Sequence, residues 1–255
     1  MTAGSWIAGG PGRRADAPVR LLCFAHAGGG GGFFRPWAAA LPGVDVCPVV
    51  LPGRESRLRE HPYTRVSDLL PALVDGVVPH LDRPYALFGH SLGAVLAYEL
   101  ARRLSHGPAA PPVCLVVSGR RPPHAARQEP ELRHLDDDAF VTEVARLGGI
   151  PDEVLRQPDL LRLFVPAMRA DFTLNETYLP LPGPPLEIQV AALTGDRDPR
   201  VTPEEIDGWR EVTRGPFTRR VFEGDHFYLK GARADVMAAL RAELEAAAGT
   251  APRTG

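Results

Sequence analysis

The sequence has little lysine, cysteine, excess charge or long apolar run, and each shortage closes a class of function. Of its 29 basic residues only Lys230 is a lysine, and with 31 acidic residues the net charge is −2. That balance offers no basic field to draw nucleic acid or an anionic membrane. The three cysteines, Cys23, Cys47 and Cys114, are odd in number, far apart and each set in an apolar run. They read as buried free thiols rather than a disulfide framework or a metal site, and a reduced, cytoplasmic setting is expected. The most apolar stretch, around residues 85–101, is broken by His90, Ser91 and Glu99. It falls short of the ~20 apolar residues of a membrane span. The N-terminus carries no continuous apolar core of signal-peptide length.

What is present is an ordinary soluble composition, 44% apolar and 24% charged, in a chain of 255 residues long enough to bury a substantial core. Six short apolar runs read as strands: "VRLLCFAH" (19–26), "VDVCPVVLP" (44–52), "YALFGH" (85–90), "PVCLVVSG" (112–119), "LEIQVAALTG" (186–195) and "TRRVFEGDH" (218–226). Most are apolar throughout, as strands covered on both faces must be. Helical patterns alternate with them: "FFRPWAAAL", "VSDLLPALVDGVVPHL", "LGAVLAYELARRL", "EEIDGWREVT" and "RADVMAALRAELEAAA". The alternation predicts an α/β fold, a mostly parallel central sheet flanked by helices. It lapses between about residues 120 and 185, where helical segments replace a simple connection. One domain over 1–255 is expected, with a helical lid inserted at about 120–185 and a disordered tail at about 248–255.

Chemistry concentrates at "GHSLG". Ser91 lies between Gly89 and Gly93, after a predicted strand and before a predicted helix. In that context G-x-S-x-G marks a nucleophile on a sharp turn, and the acid and then the histidine should follow in the chain. Of the eight histidines, His226 in "FEGDHFYL" is best placed to be the base. "LTGDRDPRV" offers Asp196 and Asp198 for the acid. Asp198 is preferred, because Asp196 directly follows Gly195 and suits a turn-shaping bond to local backbone. The backbone N–H groups of Leu92 and Ala27 are the expected oxyanion donors, with Gly28 the near alternative in the glycine-rich loop "AHAGGGGGFF". That loop lacks the Gly-Lys-Ser/Thr of a P-loop, and a G-x-G-x-x-G frame begun at Gly28 meets Phe33. His26 is expected to bond backbone there, and His90 to be a pocket or packing residue rather than the base. "HLDDD" (134–138) reads as helix capping, so no metal is expected.

With these residues placed, the chain resembles the type II thioesterases, the stand-alone editing enzymes that accompany polyketide and nonribosomal peptide synthases. The resemblance rests on "LLCFAHAGGG", "LPGRESRL", "FGHSLGAVLAYELARRL", "MRADFTLNETY", "LTGDRDPRV" and "VFEGDHFYL", and spans about residues 20–245. It implies an α/β-hydrolase fold and acyl thioesters held on the phosphopantetheine arm of an acyl or peptidyl carrier protein as substrates. It also implies a monomer and no cofactor, with Ser91 as nucleophile, Asp198 as acid and His226 as base. Asp225 stands where some relatives have glycine, and its charge is expected to bear on His226. Phe140, Leu163, Phe164, Met168 and Phe172 are candidates for the acyl pocket, or for packing the lid on the sheet. Arg120, Arg121 and Arg127 are candidates for meeting the carrier's acidic surface or the pantetheine phosphate, or for a solvated arginine-rich loop. The competing readings are a carboxylesterase or lipase, a chain-releasing synthase domain, and a non-catalytic module on a hydrolase scaffold.

Overall fold

The computed structural model of the chain describes residues 5–9, 14, 16–107, 110–125, 129–150, 152–231 and 233–250. Each of the six predicted runs forms a strand: β1 (Val19–Phe24), β2 (Val44–Pro48), β3 (Tyr85–His90), β4 (Cys114–Ser118), β5 (Gln189–Gly195) and β6 (Phe217–Phe222). They pair side by side, all parallel, in the order β2-β1-β3-β4-β5-β6. The helices are α1 (Trp37–Ala40), α2 (Val66–Val77), α3 (Leu92–Ser105), α4 (Asp137–Arg146), α5 (Asp152–Leu155), α6 (Pro158–Glu176) and α7 (Ala234–Thr250).

β1, β3, β4 and β5 are buried along their whole length because alternate residues feed two different cores, whereas β6 at the sheet edge carries Thr218, Arg219 and Arg220. Leu22, Phe24, Leu87, Leu115, Val117, Val190 and Ala192 pack on the face that also buries residues of α2 and α3. Their neighbours Leu21, Cys23, Ala86, Phe88, Cys114, Val116, Ala191 and Leu193 pack on the opposite face with Trp37 of α1 and Val236, Met237, Leu240 and Leu244 of α7. The three cysteines are buried and free, as expected. No described helix is long and apolar enough to cross a membrane.

Three elements differ from expectation. "FFRPWAAAL" is broken into a 3-10 turn (Gly31–Phe34) and the short α1, with Pro36 at the break. The segment 205–212 winds as a 3-10 helix because its buried residues, Ile206, Trp209 and Val212, recur every three positions. Residues 248–250, placed in the tail, complete α7, while 251–255 lie outside the described residues.

Strand order fixes where a site forms. From β1 the chain steps outward to β2, then returns to place β3 on the other side of β1, so the loops leaving β1 and β3 diverge. Ligands of open α/β sheets bind at such a reversal, beyond the C-terminal strand ends. Here those loops are the glycine-rich 25–32 and the turn at Ser91.

The second turn is built by close backbone approach. A Cβ on Gly89 would lie 2.1 Å from the Gly93 carbonyl oxygen, and a Cβ on Gly93 would lie 2.1 Å from that of Phe24. Gly93→Ala is therefore expected to cost more than about 2 kcal/mol in chemical denaturation. Gly249→Ala, facing open space near the end of α7, should be neutral or slightly stabilising in the same assay.

Candidate active site

Ser91 leaves β3 with φ 56° and ψ −114°, a backbone conformation that L-residues avoid. Two hydrogen bonds hold it there: Ser91 N–H to the Ser118 carbonyl at 2.8 Å and Ala94 N–H to the Ser91 carbonyl at 3.0 Å. The strain thus sits on a turn pinned from β4 on one side and α3 on the other. It aims the side chain out of the sheet, into a cavity of about 460 Å³.

His226 and Asp198 meet across the neighbouring strand ends, with His226 Nδ1 2.8 Å from Asp198 Oδ2. A carboxylate accepts, so the imidazole proton sits on Nδ1 and Nε2 carries its lone pair. Nε2 is buried and has no hydrogen-bond partner. Asp198 Oδ1 is held by the Arg200 N–H at 2.9 Å. Asp196 does shape the turn, but through the adjacent loop rather than its own: its Oδ1 accepts from the Gly224 N–H at 2.8 Å. Burial pulls the His226 pKa below its usual value, partly opposed by the bond to Asp198 and its charge, with Arg200 adding to the lowering and Asp225 weakly to the raising.

Two other histidines crowd His226. His90, centred 4.9 Å from the His226 ring, bonds Ser118 Oγ through Nδ1 at 2.9 Å, and Ser118 Oγ in turn lies 2.6 Å from the Tyr228 hydroxyl. His90 is thus a packing residue, as expected. His26 departs from expectation. Its carbonyl, not its ring, accepts the Gly29 N–H, while the ring stands edge-on to Phe33 and Phe227 with Nδ1 buried and unpartnered.

The glycine-rich loop is fixed by residues to which sequence reasoning gave no role. Asp171 of α6 forms a two-point ion pair with Arg54, both contacts at 2.7 Å, and its Oδ2 also accepts the Gly28 N–H at 2.8 Å. Arg54 Nη1 reaches the Gly29 carbonyl at 2.9 Å. The Gly28 N–H, the near alternative to Ala27 in this loop, is thus already engaged. Neither Ala27 N–H nor Leu92 N–H donates to another described residue. The signal for Asp171 was present: a carboxylate in the apolar stripe of α6, between Met168 and Leu174.

Of the five candidate pocket residues only Phe172 lines the cavity. Phe140 and Met168 are buried in a separate core made by the residues between β4 and β5, and Phe164 packs on its edge. Leu163 is 48% exposed. Arg120 and Arg121 do line the cavity, but bonded within the chain: Arg120 to Asn175 Oδ1 at 2.7 Å, and Arg121 to Glu129 at 2.6 Å and Glu205 at 2.9 Å. Neither is a free counter-charge for a partner. Arg127 lies outside the described residues. Among the described residues no group of three or more His, Cys, Asp or Glu is arranged to hold a metal.

Residues 19–244 match the thioesterase domain family. The chain belongs to the thioesterase family. A Brevibacillus parabrevis protein named linear gramicidin dehydrogenase LgrE is 36% identical over 239 residues, covering 92% of this chain and 91% of its own length. Thioesterase PikA5 of Streptomyces venezuelae is 41% identical over 216 residues, covering 84% of this chain and 76% of its own. Among solved structures, the type II thioesterase BorB from the borrelidin biosynthetic cluster superposes with a TM-score of 0.85 at 39% identity, covering 96% of this chain and 99% of BorB. The parallel, helix-covered sheet is thus that of the α/β-hydrolase thioesterases, and the chain is a thioester hydrolase. The first relative's name denotes hydride transfer. Here, however, the loop leaving β1 runs into a 3-10 turn and the four-residue α1, not into a long helix whose N-terminus would hold a dinucleotide pyrophosphate.

Breaking a buried ion pair by neutralising one partner strands the other charge, at a cost of about 3 kcal/mol. Asp171→Asn is expected to lose about that much in urea denaturation. The double variant Asp171→Asn/Arg54→Met, which removes the stranded cation, should recover part of the loss.

Proposed function

We propose that the chain is a stand-alone editing thioesterase of the type II kind, a monomer that hydrolyses acyl groups from the phosphopantetheine arm of acyl or peptidyl carrier proteins. The observation that carries this reading is a histidine whose Nδ1 is bonded to a buried carboxylate and whose Nε2 is unprotonated and unpartnered. Its ring borders Gly119, which lines the same cavity of about 460 Å³ as the strained Ser91.

Ser91 Oγ passes its proton to His226 Nε2 and attacks the thioester carbonyl carbon. The carbonyl oxygen takes the negative charge and is received by the N–H groups of Ala27 and Leu92. Leu92 is the first residue of α3, so its N–H is unused within the helix and lies at the positive end of the helix dipole. Collapse of the tetrahedral intermediate breaks the carbon–sulfur bond, and His226 returns the proton to the departing thiolate. Water, deprotonated by the same nitrogen, then cleaves the acyl-serine, releasing a carboxylic acid and restoring Ser91. Asp198 keeps the Nδ1–H tautomer and offsets the imidazolium charge in both halves. No cofactor takes part in this sequence. Relatives named for gramicidin and cadicidin biosynthesis support a role in clearing stalled acyl groups from assembly-line carriers.

Thiol release from acyl-carrier-protein thioesters tests the reading. Ser91→Ala is expected to lose about three orders of magnitude or more in kcat while unfolding like the wild type. Wild-type preference for oxygen esters over these thioesters would overturn the substrate assignment. The base must be neutral to accept the serine proton, and burial lowers the His226 pKa from 6.5. The acid limb of kcat/KM should therefore fall below pH 6.5, which a pH–rate profile with a small acyl thioester measures.

A further inference from the structure

The charged groups around the cavity are satisfied within the chain, with one exception. Arg120 is bonded to Asn175 and Arg121 to Glu129 and Glu205. Arg146 pairs with Glu143 at 2.7 Å, and Glu176 accepts the N–H groups of Leu132 and Arg133. Arg200 differs. Its backbone N–H holds Asp198, but its guanidinium makes no hydrogen bond or ion pair with any described residue, although it lines the same cavity as Ser91.

The guanidinium is not simply at large in solvent. Arg200 is half-buried, and burial draws its pKa below the ordinary arginine value, against the opposing pull of Asp198 and Glu129. A partly desolvated cation without an oxygen partner is unfavourable unless something completes it. Its planar fork of donors fits a carboxylate at two points or a carbonyl at one. Arg200 follows Asp198 by two residues, so their Cα atoms lie within about 7.6 Å, and Asp198 is bonded directly to the proposed base. Arg200 lines the cavity that Ser91 lines, and its charge is felt at His226, so the oxygen that completes it belongs to the occupant of that cavity on the side of the proposed base. The phosphate of a pantetheine arm does not meet that condition, because two amide-containing segments separate it from the thioester sulfur.

We infer that Arg200 reads the acyl group: its guanidinium receives a carboxylate or carbonyl oxygen carried a few bonds beyond the thioester carbonyl, so that oxygen-bearing acyl groups are preferred to plain alkyl ones. The inference rests on Ser91 and His226 being the reacting pair. Phe172 and Val201, which also line the cavity, give the carbon chain its apolar walls. Asn175 and Tyr178 are committed to Arg120 and Glu99, which leaves Arg200 as the uncommitted cation facing the substrate among the described residues.

Binding of inert amide analogues, in which NH replaces the thioester sulfur, tests this without requiring turnover. Calorimetry compares pentanoyl, 3-oxopentanoyl and succinyl amides of one short amine on wild type, Arg200→Met and Arg200→Lys. Melting temperatures verify that the variants fold. The wild type is expected to bind the two oxygen-bearing amides about tenfold or more tighter than the pentanoyl amide, the scale of a charge-assisted hydrogen bond. Arg200→Met should bring the three affinities together, and Arg200→Lys should retain part of the succinyl preference. Equal affinities in the wild type, or a preference unchanged in Arg200→Met, would overturn the inference. So would a preference seen only when the analogues carry the full phosphopantetheine arm, since the oxygen would then be the phosphate's. Hydrolysis of the matching thioesters by the wild type is measured alongside. Its absence would count against the proposed function and leave the binding result standing.

Discussion

Everything at the candidate site depends on how closely three stretches of backbone approach one another at the C-terminal ends of β1 and β3. Gly89, Gly93 and the Phe24 carbonyl leave no room for a Cβ. That crowding puts the start of α3 directly over the end of β3, so the chain has only Ser91 in which to turn. The positive φ of Ser91 follows from this geometry. The two rigid elements that impose it are buried on both sides, so the turn cannot relax by moving either one. The same approach brings the loop leaving β1 alongside the first N–H of α3, which is where two donors from separate elements have to converge.

A second constraint ties this loop to the helices between β4 and β5. Asp171 and Arg54 are 117 residues apart in the chain and are joined by a buried two-point ion pair. Such a pair contributes little net stability, because both charges lose water. It specifies geometry well, since a carboxylate and a guanidinium align in few ways. The third contact of Asp171, to the Gly28 N–H, conveys that geometry to the backbone beside Ala27. Met168 lies where a Cβ on Gly28 would be, and Gly28 itself has φ +78°, so the loop fits α6 only with glycine there. The helix that contributes Phe172 to the cavity wall therefore also sets the glycine-rich loop.

How far the sequence revealed this depended on whether the information was local. Each strand was visible as a short apolar run bounded by turn residues, and α3 as a periodic stretch after a glycine-flanked serine. Ser91, Asp198 and His226 could be singled out as candidates because each follows a strand, and a parallel sheet gathers all such positions at one edge. The pairing of His226 with Asp198 rather than Asp196 followed from which aspartate was freer of its turn. Side-chain facing between β4 and β5 was much less legible. Phe140, Phe172 and Met168 have the same apolar character, yet only Phe172 faces the cavity, because orientation there is set by how α4 packs on α6. Arg54 and Asp171 lay in motifs already singled out, but neither residue alone indicates that it meets the other. Arg200 was hidden for the opposite reason: its distinguishing feature is a contact that it does not make.

The three clustered histidines explain why only one suits proton transfer. His90 and His226 are buried and His26 is half-buried with its ring nitrogen Nδ1 covered, and burial disfavours the imidazolium in each. His26, without a carboxylate, is drawn down to about 3, and His90, bonded only to a hydroxyl, also falls well below the ordinary histidine value. His226 shares their burial, but Asp198 opposes the desolvation through a hydrogen bond and a negative charge. A base for serine needs a neutral resting state and an imidazolium that is not prohibitively costly. Burial provides the first and Asp198 the second. Arg200 works against the imidazolium from the cavity side. An oxygen group that neutralises Arg200 on binding would ease proton transfer to His226, coupling occupancy of the acyl cavity to the readiness of the base.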